Sequence, residues 1–197
     1  MDGEINTRIF DFKKDLKTLD VPLIVQKHIT YGDCFVLDQN LYFQLKHEVS
    51  RKFNLHPSQV QMVGSGKLGF SIVWKKRYRS FGDTSDIDLA IICPSLFDQI
   101  WREAYNYQKS GSYWPQLVDF QRYLFNGWIR PDKFPPEKSF DFCKIWWDFF
   151  NEITSVGNFG PYHIKAGLYK SWFYLESYQS NCVKDCKTEV ENENNSH

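Results

Sequence analysis

What this sequence lacks narrows it first. No apolar run approaches the ~20 residues that span a bilayer, and Met1-Asp2-Gly3-Glu4 does not lead into the basic-then-apolar pattern of a secretory leader. The expectation is a cytoplasmic protein with no membrane partner. No C-x-x-C occurs among Cys34, Cys93, Cys143, Cys182 and Cys186, and their odd number and scatter fit ordinary thiols in a reducing compartment. Cys182 and Cys186 stand four apart, but zinc needs two further ligands that no nearby pair supplies. Net charge is missing as well. Lys plus Arg (24) balance Asp plus Glu (24), so no overall field draws the chain to nucleic acid or anionic lipid, and any such attraction has to be local. No internal repeat is present.

What is abundant is aromatic: 7 Trp, 11 Tyr and 17 Phe make 18% of the 197 residues. A chain of this length with that many rings buries a true core within one domain. Residues 1–37 read as an N-terminal lead-in, with Pro22 opening a short helix through Leu23, Ile24 and His28. Residues 38–187 read as a single domain. Asp38 is placed to cap a helix whose Leu41, Leu45 and Val49 share one face, ending near Asn54. His56-Pro57-Ser58 breaks it, and Gln59 to Val63 alternates like a short strand.

Asp86 to Ile92 is a second strand, stopped by Pro94, and Ser95 is expected to cap the helix that follows. Trp114 to Phe125 and the aromatic Phe140 to Val156 have helical spacing, Tyr162 to Tyr169 reads as a late strand, and Ser171 to Lys187 as a last helix. Residues 188–197, acidic and polar, read as a disordered tail.

Two patterns carry chemistry. Gly64-Ser65-Gly66-Lys67-Leu68-Gly69 spells G-x-G-x-x-G, and acids follow at Asp86 and Asp88. In a dinucleotide-binding fold the ribose-binding acid lies at the carboxyl end of its strand, whereas these two lead into theirs, and no full amphipathic helix separates them from the glycines. A Walker A loop fails because Gln61 and Leu68 stand where Gly and Ser or Thr are needed; a kinase loop fails at Ser71 and lacks H-R-D and D-F-G. Asp86-Ile87-Asp88 is more informative. Residues i and i+2 of a strand project from one face, so both carboxylates point one way, a seat for Mg²⁺ that phosphate and water complete. The glycine turn adds backbone N–H groups, and Ser65 a hydroxyl, for phosphate oxygens.

Val63-Gly64-Ser65 followed by Ser85-Asp86-Ile87-Asp88-Leu89 resembles the signature of the nucleotidyltransferase superfamily that includes DNA polymerase beta and the minimal nucleotidyltransferases. The resemblance covers residues 59–92. It implies an α/β fold of the α+β kind, a nucleotidyltransferase-like mixed sheet flanked by helices, to which the residues themselves add a helical, aromatic-rich C-terminal half. It implies catalytic, metal-binding roles for Asp86 and Asp88 with Mg²⁺ (or Mn²⁺), and phosphate contacts from Gly64, Ser65, Gly66, Lys67 and Ser85. The implied reaction moves a nucleotidyl group from a nucleoside triphosphate such as ATP to an unidentified acceptor, RNA, protein or small molecule, with release of pyrophosphate.

It also implies a third carboxylate on a later strand. The strand expected at Tyr162 to Tyr169 carries His163 and Lys165 instead, and Asp119, Asp132, Asp141 and Asp148 are the acids elsewhere in the second half. The alternative expectation is therefore a degenerate transferase that senses nucleotide or acts as an antitoxin-like regulator. Lys75, Lys76, Arg77 and Arg79 form a basic run suited to triphosphate or a nucleic-acid backbone, or simply to solvent. The rings of the second half suit a core first and base stacking second.

Overall fold

The structure, a computed structural model, describes residues 2–136, 138 and 140–195. It is mixed α/β: eight α-helices and a four-stranded mixed sheet among the described residues. The strands are β1 (Val60–Val63), β2 (Ile87–Ile92), β3 (Trp128–Ile129) and β4 (Ile164–Tyr169), in the order β1-β2-β4-β3. β2 pairs antiparallel with β1 and parallel with β4, whose far edge takes β3 antiparallel. β2 therefore lies inside the sheet with helices on both faces, which is why Leu89-Ala90-Ile91-Ile92 is apolar without alternation.

Two cores flank the sheet. Ile87, Leu89 and Ile91 point into one, with Val60, Met62, Ile164 and Leu168 from the neighbouring strands. Helices α3 (Gln39–Phe53), α5 (Pro94–Lys109), α6 (Leu117–Phe125) and α7 (Asp141–Val156) cover that side. The α7 residues Phe142, Trp146, Phe149 and Ile153 recur every three or four positions, and with Phe150 beside them they turn one aromatic face inward. Each such side chain, fully buried, contributes roughly 1.5–3 kcal/mol of transfer free energy.

Ala90 and Ile92 point the other way, into a core built with Ile5, Phe12 and Leu16 of α1 (Asp2–Thr18), Ile24 and Val25 of α2 (Val21–Val25), and Leu175, Val183 and Cys186 of α8 (Trp172–Asn195). The N-terminal segment expected as a lead-in thus supplies much of the packing on this face. A π-helical turn at Gln26–Thr30 extends α2, and Asp15 ties α1 to it through Lys27 and His28, both at 2.6 Å.

Local signals explain most boundaries. Asp38 caps α3 by accepting from the Leu41 N–H at 2.9 Å, and Asn54 ends it in the left-handed region at φ +53°. The cap of α5 is Cys93 rather than Ser95, because Pro94 occupies the first helical position and the Cys93 sulfur accepts from the Leu96 N–H. Where composition points to an unstructured tail from residue 188, α8 continues as helix through Asn195. Val190 is buried and Glu189 pairs with the buried Arg77, so that last stretch has tertiary partners. Ser196 and His197 lie outside the described residues. Among the described residues no helix is long and apolar enough to cross a membrane.

Candidate functional site

The two acids that precede and open β2 face a cleft of about 700 Å³, whose lining includes Gly64, Ser65, Ser85, Asp86, Asp88 and Lys165. Strand alternation puts Asp88 on the same side of β2 as Ala90 and Ile92, while Ile87 enters the opposite core. Asp88 is paired in register with Val63 on one side and Lys165 on the other. The end of β1 therefore delivers Gly64 and Ser65 beside it, and β4 delivers a lysine.

Gly64 is at φ +66°, and a Cβ there would come 3.1 Å from Asp88 Oδ2. Both the backbone conformation and the close approach of the carboxylate require glycine. Ser65 follows on the short helix α4 (Gly64–Leu68). The same helix turns Gly66 and Lys67 away from the cleft. Gly66 packs beside Met62 and Val36. Lys67, only 2% exposed, donates its ammonium hydrogens to the carbonyls of Tyr31 (2.6 Å), Gly32 and Asp33 (2.9 Å). Of the expected phosphate contacts, Gly64, Ser65 and Ser85 line the cleft, and Gly66 and Lys67 brace the loop before α3.

The basic run divides in the same way. Lys75, Lys76 and Arg79 line the cleft. Arg77 is buried instead, its guanidinium over the Trp74 ring and paired with Glu189 of α8.

Asp86 and Asp88 differ in environment. Burial, and then the neighbouring Asp86 charge, push the Asp88 carboxyl up to about 6, with Lys165 opposing. Asp86 is more open, and its Oδ2 accepts from the Lys165 ammonium at 2.6 Å. Lys165 occupies the strand position opposite the acid pair, where the resemblance implies a third carboxylate. The other acids do not make up the set. Asp132 lines the cleft but is held by Arg130 in a two-pronged pair at 2.9 and 3.0 Å; Asp119 pairs with Arg122, and Asp148 with Lys144. Among the described residues no group of three His, Cys, Asp or Glu side chains is arranged to hold a metal ion.

Two carboxylates with room for phosphate oxygens nevertheless suit one Mg²⁺, which keeps most of its shell as water and substrate oxygens. The Lys165 ammonium on Asp86 shows that a positive charge is accommodated at that spot. Asp86 and Asp88 are the residues that would hold such an ion.

The far wall of the cleft is aromatic. Trp128 stacks on Tyr169 with ring centres 5.4 Å apart and planes 8° from parallel, and packs against Tyr178 at 4.6 Å. Trp128 can lie over β4 because residue 167 is glycine; a Cβ there would be 2.4 Å from its indole nitrogen. Gln179 of α8 also lines the cleft and is 5% exposed. Trp128, Arg130 and Gln179 have no signal in the sequence, since the two-residue strand that places Trp128 is too short to show periodicity and α8 has only a faint apolar face. Lys165 was legible only as a residue of the late strand. Its register against Asp88 is a tertiary fact. Compared with family models, with curated proteins and with solved structures, the chain matches none.

Proposed function

We propose that this protein is a nucleotidyltransferase, acting on a nucleoside triphosphate whose phosphates enter the cleft between Gly64-Ser65 and the Asp86–Asp88 pair. The observation that carries the proposal is the convergence of those four residues on one cleft, with the Asp88 carboxylate in contact range of a backbone that only a glycine can bring so close. Lys75, Lys76 and Arg79 on the rim supply the charge that a triphosphate requires. Ser65 and Ser85 offer hydroxyl donors, and the Trp128–Tyr169 wall offers a surface against which a base can stack.

Mg²⁺ at Asp86 and Asp88 would neutralise phosphate charge and polarise the phosphoryl oxygens. The rest falls to the chain. An acceptor hydroxyl attacks the α-phosphorus, a new P–O bond forms as the α–β bridging bond breaks, and pyrophosphate carries away the electron pair. The hydroxyl proton passes to water in the cleft.

A second reading, nucleotide binding without transfer, is favoured by one observation, the Lys165 ammonium where a third acid would stand. Incubation with labelled nucleoside triphosphates, Mg²⁺ and a panel of RNA, protein and small-molecule acceptors separates the two. Pyrophosphate release that disappears in Asp86→Ala/Asp88→Ala supports transfer; binding without release across the panel supports the second reading. Activity unchanged in the double variant would remove the site assignment.

A further inference from the structure

Lys165 is the only cation among the described residues paired with Asp86 or Asp88. It sits on β4 directly across from Asp88, and its Nζ is 2.6 Å from Asp86 Oδ2. Its side chain is 54% exposed, so the ammonium reaches the acid along an open stem and keeps donors free for a ligand in the cleft. A carboxylate at this position would add a negative charge and call for a second metal ion. A lysine does the reverse: it brings a fixed unit of positive charge to the place where the phosphates meet the acids. The other charged groups lining the cleft are Asp88, the Arg130–Asp132 pair, and the cations Lys75, Lys76 and Arg79.

We propose that Lys165 is a positioning residue that stands in for a second divalent ion, its ammonium bridging Asp86 and the triphosphate, so that the cleft binds nucleoside triphosphate without divalent metal and takes up no more than one ion. This rests on the nucleotide reading above and specifies how that site handles charge. No covalent step is involved. One donor of the ammonium stays on Asp86 and the others turn to phosphate oxygens, and Asp86 and Asp88 would hold the single ion.

The test is equilibrium binding of a non-hydrolysable nucleoside triphosphate analogue to the full chain, in EDTA and in Mg²⁺, with bound Mn²⁺ counted by electron paramagnetic resonance. The wild type is expected to bind in EDTA. Lys165→Met should lose about tenfold or more in EDTA, the size of one charge-assisted hydrogen bond, and Lys165→Arg should recover most of it. Lys165→Asp should bind only when metal is present and hold one more Mn²⁺ per chain than the wild type. Circular dichroism and melting curves establish that each variant is folded; Lys165 is exposed enough that the Met and Arg forms fold normally.

Wild-type binding that vanishes in EDTA, Lys165→Met binding equal to wild type in EDTA, or two Mn²⁺ in the wild type would overturn the proposal and leave the nucleotide reading standing. Absence of binding by the wild type under every condition would overturn both.

Discussion

The ammonium of Lys165 lies 2.6 Å from Asp86 Oδ2, joining β4 to the mouth of β2 across a parallel strand pair. Asp88 sits between that ion pair and the backbone of Gly64, enclosed enough that burial and the Asp86 charge raise its carboxyl to about 6. The cleft therefore holds one open, paired acid and one enclosed acid. Several consequences of that asymmetry are measurable.

The pH dependence of stability should carry the mark of Asp88. Its folded value is raised above the unfolded one, 3.8, so its contribution is fully present below about pH 4 and is lost as pH rises through about 6. Asp88→Asn removes this loss. In urea denaturation the Asn variant should be more stable than wild type by roughly 1–3 kcal/mol at pH 7.5, with the advantage gone by about pH 4. A constant difference across that range would contradict the enclosure of Asp88.

Gly64→Ala places a methyl group 3.1 Å from Asp88 Oδ2 on a residue held at φ +66°. The left-handed conformation alone costs a non-glycine residue about 1–2 kcal/mol. Chemical denaturation should show at least that loss, and nucleotide affinity should fall as well because the carboxylate has to move. Gly82→Ala, where a Cβ meets nothing within 4 Å and the backbone is not left-handed, is the matched control and should change neither.

Lys67 and Arg77 are structural cations, and their removal should damage stability rather than binding. Lys67→Met leaves the carbonyls of Tyr31, Gly32 and Asp33 without their donor, which should cost about 2–4 kcal/mol in denaturant titration. Arg77→Met leaves Glu189 without its partner and should loosen the end of α8, read as faster amide exchange there. Nucleotide affinity of the folded fraction should match wild type in both. A selective loss of affinity with stability intact would place these groups in the cleft after all.

Lys75, Lys76 and Arg79 are predicted to behave in the opposite way. Changing all three to Gln should leave the melting temperature within about 2 °C, since surface charges contribute little to stability. Triphosphate affinity should drop by about tenfold or more, and the salt dependence of binding should flatten. Unaltered affinity and salt dependence would make the run a solvated loop.

How much of this was written in the sequence depends on whether the cause is local. Asp38 capping α3, the break at Pro57, the strand into Gly64 and the acids opening β2 are all short-range effects of cap chemistry, proline and apolar spacing, and they are readable in order along the chain. Lys67 was not. Its place in the glycine motif suggests phosphate, and only the path of residues 31–33 over α4 explains why its ammonium is spent on carbonyls. Arg77 and Lys76 are adjacent and chemically alike, yet one is buried against α8 and the other faces the cleft, a division set by a helix more than a hundred residues away. The packing of α1 and α2 against the sheet escaped for the same reason, since apolar residues mixed with charges do not announce which surface they will meet.

Amide hydrogen exchange with and without a non-hydrolysable nucleoside triphosphate shows whether a triphosphate occupies the cleft between Gly64-Ser65 and the Asp86–Asp88–Lys165 cluster. Exchange should slow at residues 63–66, 84–88 and 165–169, and that protection should be lost in Asp86→Ala/Asp88→Ala. Saturating ligand that leaves those three segments unchanged while protecting another surface, or that protects nothing, would contradict occupancy of the cleft.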